Sequence, residues 1–427
     1  MLGSKTRVRL LISFFLISIF MLFNGSFFGW LFSGTPLVMW RQLIWIIGLV
    51  LCYFTVPSIH LKPLNKVFNV EGRLAFAILI LSFITIWSYN FNTLRIAYAF
   101  WLYFAGLPFI LLPFLISRFN VCRLNTFYSI FTFFGLFLSI GLVLDYMSGG
   151  FFTEKFLIRD SKEAEGLLES GRFCFLSEAP TTFGVFYSFC MFCGLMRMHL
   201  AKKFAAKLSY LLICASFLVG CWFTGSRQIL AVLGVMFIGG LAYYITKVRD
   251  TKAHIALGVL LAIIFVPTIT SFLLKEDIYS DRYSNESIRE DPRSKSWIRG
   301  WHETVVDDIS IFVFGKAVAL VQGQKAQPGE LTGSHYENSF FARLSECGIV
   351  GVILLCYPAI YILRRLHRWN FFQILICILT GAFLFTCYIS PNGQHQTTQA
   401  IMYIALGMFI CRQYFDPGYV RSSSKRH

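Results

Sequence analysis

Four short clusters place ionisable side chains at the ends of long apolar runs. Their residue types suit chemistry on a phosphate-bearing group. The first is Gly171-Arg172-Phe173-Cys174-Phe175-Leu176-Ser177-Glu178-Ala179-Pro180. Pro180 fits the first turn of a helix, and Glu178 just before it favours the positive end of the helix dipole. Arg172 reads equally well as a cation snorkelling to headgroups or as part of a binding site. The second cluster, Phe223-Thr224-Gly225-Ser226-Arg227-Gln228, is a tight turn that holds Arg227 near the interior of a helical bundle. An interfacial anchor would need no Gly-Ser turn. The third gathers Arg289, Arg293, Lys295 and Arg299 among Glu290, Asp291 and Glu303. A guanidinium fork donates two parallel hydrogen bonds and stays charged, which suits a diphosphate. Arg299 and Glu303 also stand four apart, so they could simply pair on a helix surface. The fourth is Gly333-Ser334-His335-Tyr336-Glu337-Asn338-Ser339-Phe340, followed by Arg343, Glu346 and Gly348. His335 or Glu337 could accept the proton of an attacking hydroxyl, and both reach one cavity only where the segment is non-helical. A lone loop histidine is usually idle, but this one stands beside a carboxylate at the mouth of an apolar run.

Such side chains need a frame, and the composition says which kind. The 427 residues are 56% hydrophobic, 18% aromatic and only 14% charged, with a mean hydropathy of +0.63. That excludes a water-soluble, disordered or fibrous protein. Crossing a bilayer takes about 20 mostly apolar helical residues, because backbone polar groups find no water there. Twelve stretches qualify, near 10–32, 37–59, 74–90, 96–117, 124–147, 179–198, 208–225, 228–246, 254–274, 340–363, 371–389 and 397–412. The expected fold is therefore an all-α polytopic membrane protein with about 12 transmembrane helices, residues 1–427 forming a single domain. The first stretch is too long for a signal peptide and lacks a small-residue cleavage site, so it is expected to be retained. Two larger outer loops, 148–178 and 275–339, remain. In the second, Trp297, Trp301, Val305, Ile309 and Phe312 recur at roughly helical spacing, as in a helix lying on a membrane surface.

A net charge of +16 would ordinarily raise nucleic acid as a partner. The charges instead follow the spans. With Lys5, Arg7 and Arg9 inside, the cytoplasmic ends and loops hold 22 of the 38 Lys and Arg against three acids, Glu71, Asp250 and Asp416. This is the positive-inside pattern, so a nucleic-acid role loses its support and both termini are expected in the cytoplasm. Twelve cysteines are scattered through apolar runs, and Cys190-x-x-Cys193 lies inside a span without a partner pair. Redox and zinc readings are correspondingly weak. No Walker or Rossmann glycine pattern stands in a strand-turn-helix context.

Together the clusters put cations and a candidate base on one outer rim, which suits transfer from a lipid-linked diphosphate to a hydroxyl without a metal or other cofactor. At these residues the chain resembles the Wzy-type O-antigen and exopolysaccharide polymerases, within the group that also includes O-antigen ligases. Arg172 with Leu176-Ser177-Glu178-Ala179-Pro180 looks like the polymerase pattern of an Arg before a Ser-Glu-Pro-Ser-like helix start, loosened here by Ala179. Thr224-Gly225-Ser226-Arg227 is similar to the Ser-Arg turn of polymerases and ligases. Glu337-Asn338-Ser339-Phe340-Phe341 with Glu346-Cys347-Gly348-Ile349-Val350-Gly351 looks like the closing motif. The ligases have a His, a small polar residue, nine residues and then Gly; here Glu337-Asn338 occupies that frame and His335 falls two residues early, which favours the polymerases.

The resemblance implies an all-helical glycosyltransferase of the C type, with a long periplasmic loop before the tenth helix, in the bacterial inner membrane. Its substrates would be undecaprenyl-diphosphate-linked glycans as donor and acceptor, polymerised on the periplasmic face, with a chain-length regulator as a further partner. Arg227 and Arg299 would clamp diphosphate, with Arg293 and Asn338 also contacting substrate. Arg172 and Glu178 would shape donor or acceptor sites, and His335 or Glu337 would be the base. Ligation of polymer to lipid A core is the nearest rival reading, and transport of a lipid-linked oligosaccharide a more distant one.

Overall fold

The computed structural model describes residues 4–33, 35, 43, 44, 46–48, 50, 51, 62–89, 106–119, 123–156, 165, 167–169, 171–177, 183–247, 292–307, 309–315, 338–366, 370–389 and 396–416. The expected span near 254–274 lies outside these residues, as does most of that near 37–59. Every element among the described residues is helical, and six of the helices are long and apolar enough to cross a membrane. In chain order they are α1 (Ser4–Phe23), α2 (Gly25–Leu31), α3 (Lys62–Tyr89), α4 (Leu111–Phe119, entered through a 3-10 turn at Leu107–Ile110), α5 (Leu124–Met147), α6 (Phe151–Phe156), α7 (Phe183–Leu200), α8 (Phe204–Phe223) and α9 (Arg227–Lys247). There follow α10 (Pro292–Trp301), a π turn (His302–Val306), α11 (Ile309–Phe314), α12 (Ser339–Leu363), α13 (Phe371–Ile389), α14 (Gln396–Ile410) and α15 (Arg412–Phe415).

Helix α7 is the hub: it packs against α5, α8, α9, α13 and α14, and nearly all its side chains are buried. Lipid gives helices no hydrophobic reason to associate, so close approach of backbones matters. At the α5–α7 crossing a Cβ on Gly135 would lie 2.8 Å from Cys190 Cβ; at the α5–α8 crossing one on Gly220 would meet Ser139 at 2.8 Å. Aromatic rings fill the spaces between, with Phe131 against Phe189 at 4.8 Å and Phe23 against Phe186 at 4.2 Å. Cys190 and Cys193 are buried free thiols in this packing. The outer helices turn apolar residues outward, including Ile17, Phe76, Phe133 and Val235, as a lipid-facing belt does.

Helix α12 is broken inside its first half. Cys347 (φ −136°, ψ 15°) and Gly348 (φ 64°, ψ −161°) leave helical geometry, and the second of these conformations is open only to glycine. The break receives α11. A Cβ on Gly348 would lie 2.2 Å from the Val313 carbonyl oxygen, and one on Gly315 would lie 2.6 Å from the Glu346 carbonyl. Two backbones thus meet directly, fixing the helical part of the 275–339 loop to the bundle.

Candidate functional site

The turn between α8 and α9 is built by its own sequence. Thr224 Oγ1 donates to the Cys221 carbonyl at 2.6 Å and accepts from the Ser226 amide at 3.3 Å, while Gly225 turns the chain at φ 62°. The segment carrying Arg172 is laid across this turn. The Phe173 amide donates to the Phe223 carbonyl at 3.1 Å, and the Arg172 amide to the Leu167 carbonyl at 2.9 Å. A Cβ on Gly225 would lie only 2.8 Å from Arg172 Cγ, so the arginine stem occupies the space that glycine leaves. Two clusters some fifty residues apart in sequence are therefore in contact. Arg227 is the first residue of α9, and its side chain lies outside the described residues.

What holds the 171–177 segment is a residue that sequence reasoning passed over. Asp145, fully buried at the end of α5, accepts four hydrogen bonds. Oδ1 takes the amides of Phe152 at 2.9 Å and Thr153 at 3.2 Å; Oδ2 takes the Thr153 hydroxyl at 2.5 Å and the Phe175 amide at 3.0 Å. Thr153 Oγ1 in turn accepts from the Cys174 amide at 2.8 Å. Phe175 adopts φ 53°, an uncommon and strained conformation for an aromatic residue. Its amide is fixed by Asp145 and its ring sits where a Cβ on Gly141 would be, 2.2 Å away. One carboxylate thus ties α5, α6 and the Arg172 segment together. A lone acid closing an apolar run before Ser148-Gly149-Gly150 was the available signal.

The described parts of the other two clusters reach the same end of the bundle. A Cβ on Gly184, at the start of α7, would lie 3.3 Å from Ile229 at the start of α9 and 3.8 Å from Thr386 near the end of α13. The Tyr388 ring, two residues on, lies 4.8 Å from that of Trp297 in α10. The stretch read at roughly helical spacing is helical as α10, the π turn and α11; Trp301 and Ile309 of that pattern are exposed, while Trp297, Val305 and Phe312 are half-buried and their neighbours Ile298 and Val306 are exposed instead. Arg299 is 44% exposed and pairs with Glu303 at 2.5 Å, the helix-surface pairing that their spacing allows. Arg293 stands in the first turn of α10, its side chain outside the described residues.

At the start of α12, Asn338 is 2% exposed, and its Oδ1 accepts from the amides of Phe340 at 2.8 Å and Phe341 at 3.3 Å. Its observed task is to cap the helix, so the polar residue expected at substrate serves first to aim α12. One turn further, Arg343 is fully buried and pairs with Glu346 at 2.7 Å, just before the break at Gly348. His335, Glu337 and Glu178 lie outside the described residues.

Compared with known proteins, the chain matches no family model and no curated sequence. The reading of the site rests on its residues and their placement.

Proposed function

We propose that the chain is an integral-membrane glycosyltransferase that polymerises lipid-diphosphate-linked oligosaccharide repeat units, as its resemblance to the Wzy-type polymerases implies. The observation that carries this reading is the contact between the Arg172 segment and the Thr224-Gly225-Ser226 turn that launches α9 at Arg227. Arginine at the first position of a helix sits against the positive end of the dipole, and α9 has no acid in its first turn to offset it. An anion gathered by Arg172, Arg227 and the amides of the first turn of α9 would resolve that conflict.

In the proposed reaction the diphosphate leaves as the acceptor hydroxyl attacks the anomeric carbon, with the hydroxyl proton passing to His335 or Glu337. Arg227 holds the departing charge, joined by Arg299 once the diphosphate displaces Glu303, and Arg172 and Glu178 shape the glycan sites. The remaining spans would complete a twelve-helix, C-type glycosyltransferase fold with this end of the bundle in the periplasm.

The test is complementation of a deletion strain with Arg172→Ala and Arg227→Ala, read on a surface-polysaccharide gel. Loss of one catalytic electrostatic contact costs about 10²-fold or more in rate, so long polymer should vanish and single-repeat caps accumulate. Unchanged polymer in both variants would remove the anion clamp. Polymer stranded on the lipid carrier would instead indicate ligation, and absence of any outer-face repeat would indicate transport.

A further inference from the structure

The opposite end of the bundle carries a second basic site, separate from the one just described. Helices α3 and α12 diverge there around a cleft of about 600 Å³, lined from one wall by Lys66, Asn69, Val70 and Arg73 and from the other by Tyr357, Ile360, Tyr361, Arg364 and Arg365. Each wall repeats one face of its helix, at spacings of three, four and seven residues. Four cations meet in the cleft, and no acid lines it among the described residues. The single acid of α3, Glu71, is turned inward, fully buried, and accepts the Tyr403 hydroxyl at 3.3 Å. The only acid of α12, Glu346, pairs with Arg343 near the other end.

The cations are arranged rather than merely abundant. Arg365 stacks its guanidinium 4.0 Å from the centre of the Tyr361 ring and also donates to the Tyr361 hydroxyl. Arg412 of α15 reaches the Arg365 carbonyl at 3.4 Å, adding a further positive group behind the wall. A favourable helix dipole accounts for Arg364 and Arg365 at the end of α12, but it gives nothing to Lys66 and Arg73 in the early turns of α3.

Volume and surroundings choose the ligand. Six hundred cubic ångströms is the share of about twenty waters, far more than one phosphate ion needs. Towards the middle of the bundle the cleft faces continue into exposed apolar side chains, Phe76 and Ile80 on α3 and Ile353 on α12. A charged head group above an apolar track is the pattern that a phospholipid would satisfy.

We propose that this cleft binds the phosphodiester head group of an anionic phospholipid from the leaflet opposite the candidate active site, its acyl chains lying along Phe76, Ile80 and Ile353. The inference is independent of the proposed reaction, since its test reads binding and not polymer. Full-length protein in neutral detergent is titrated with phosphatidylglycerol, with phosphatidylcholine and, separately, with inorganic phosphate at millimolar concentration. Thermal midpoint and native mass spectrometry report binding. Phosphatidylglycerol should raise the midpoint and remain bound where phosphatidylcholine does not. Each cation near a membrane surface contributes about fivefold to such affinity, so Arg73→Gln with Arg364→Gln should weaken it roughly 25-fold. Lys202→Gln, exposed and outside the cleft lining, should leave it unchanged. Because Arg73 and Arg364 are exposed, the double variant should elute as wild type does on size exclusion. Equal binding of both lipids, or no loss in the double variant, would overturn the proposal. Inorganic phosphate reproducing the full effect would replace the lipid site with a small-anion site.

Discussion

At the scale of single residues, the site owes its shape to groups whose partners are distant in sequence. Arg172 and the Ser-Arg turn were visible as polar residues that an apolar chain retains, yet nothing local says that one lies over the other. Gly225 makes the contact by lacking a side chain, which no motif advertises. Asp145 was harder still to see, because its acceptor role is defined by Phe152, Thr153 and Phe175, seven to thirty residues away. Its substitution gives the sharpest residue-level prediction. In Asp145→Asn the amide nitrogen would replace an acceptor where only donors converge, leaving buried amides unsatisfied at about 2–4 kcal/mol. The thermal midpoint in detergent should fall by several degrees, and Phe175, no longer tethered, should leave its strained conformation. The proposed polymer synthesis should fall with it, because the Arg172 segment loses its tie to α5. A full wild-type midpoint would show that the four hydrogen bonds contribute nothing net.

At the scale of elements, periodic apolar runs were read well where the run ends in turn residues or a charge. The spans read at 124–147 and 371–389 are α5 and α13 to the residue. The run at 10–32 divides instead into α1 and α2 at buried Asn24, whose amide nitrogen donates to the Phe20 carbonyl at 2.9 Å. Helix α3 begins at Lys62, well before the apolar run at 74, because its early turns are polar on the cleft side while Glu71 turns inward, where its Oε2 accepts from the Tyr403 hydroxyl. Hydropathy sees only the charge and reads a loop. The break at Cys347-Gly348 was legible as a motif but not as a geometry, since its cause is α11 arriving from the loop. Gly348→Ala should therefore undock α11: its Cβ would stand 2.2 Å from the Val313 carbonyl oxygen, in a backbone conformation that alanine resists. Hydrogen exchange over residues 309–315 should accelerate by tenfold or more, about 1.4 kcal/mol of lost protection. Gly381→Ala, with nothing within 4 Å of the added methyl, is the matched control and should leave exchange unchanged or slower. Unaltered exchange in Gly348→Ala would mean that the loop helices are held elsewhere.

At the scale of the whole molecule, the two ends of the bundle differ in the company their cations keep. At one end Arg299 and Arg343 are matched with Glu303 and Glu346, and Asp145 organises the Arg172 segment. At the other, Lys66, Arg73, Arg364 and Arg365 line a cleft to which no acid contributes among the described residues. Insertion retains positive segments in the cytoplasm, so the end that carries the cleft should be the inner one and the candidate site the outer. Reporter fusions check this directly. Truncation after Ser226, in the turn beside Arg172, should give active alkaline phosphatase and dark green fluorescent protein; truncation after Leu366, beside the cleft, should give the reverse. The opposite pattern at both positions would invert the molecule. The Arg172 site would then face the cytoplasm, where no periplasmic acceptor could reach it, and polymerisation would have to be abandoned while the lipid cleft moved to the outer leaflet.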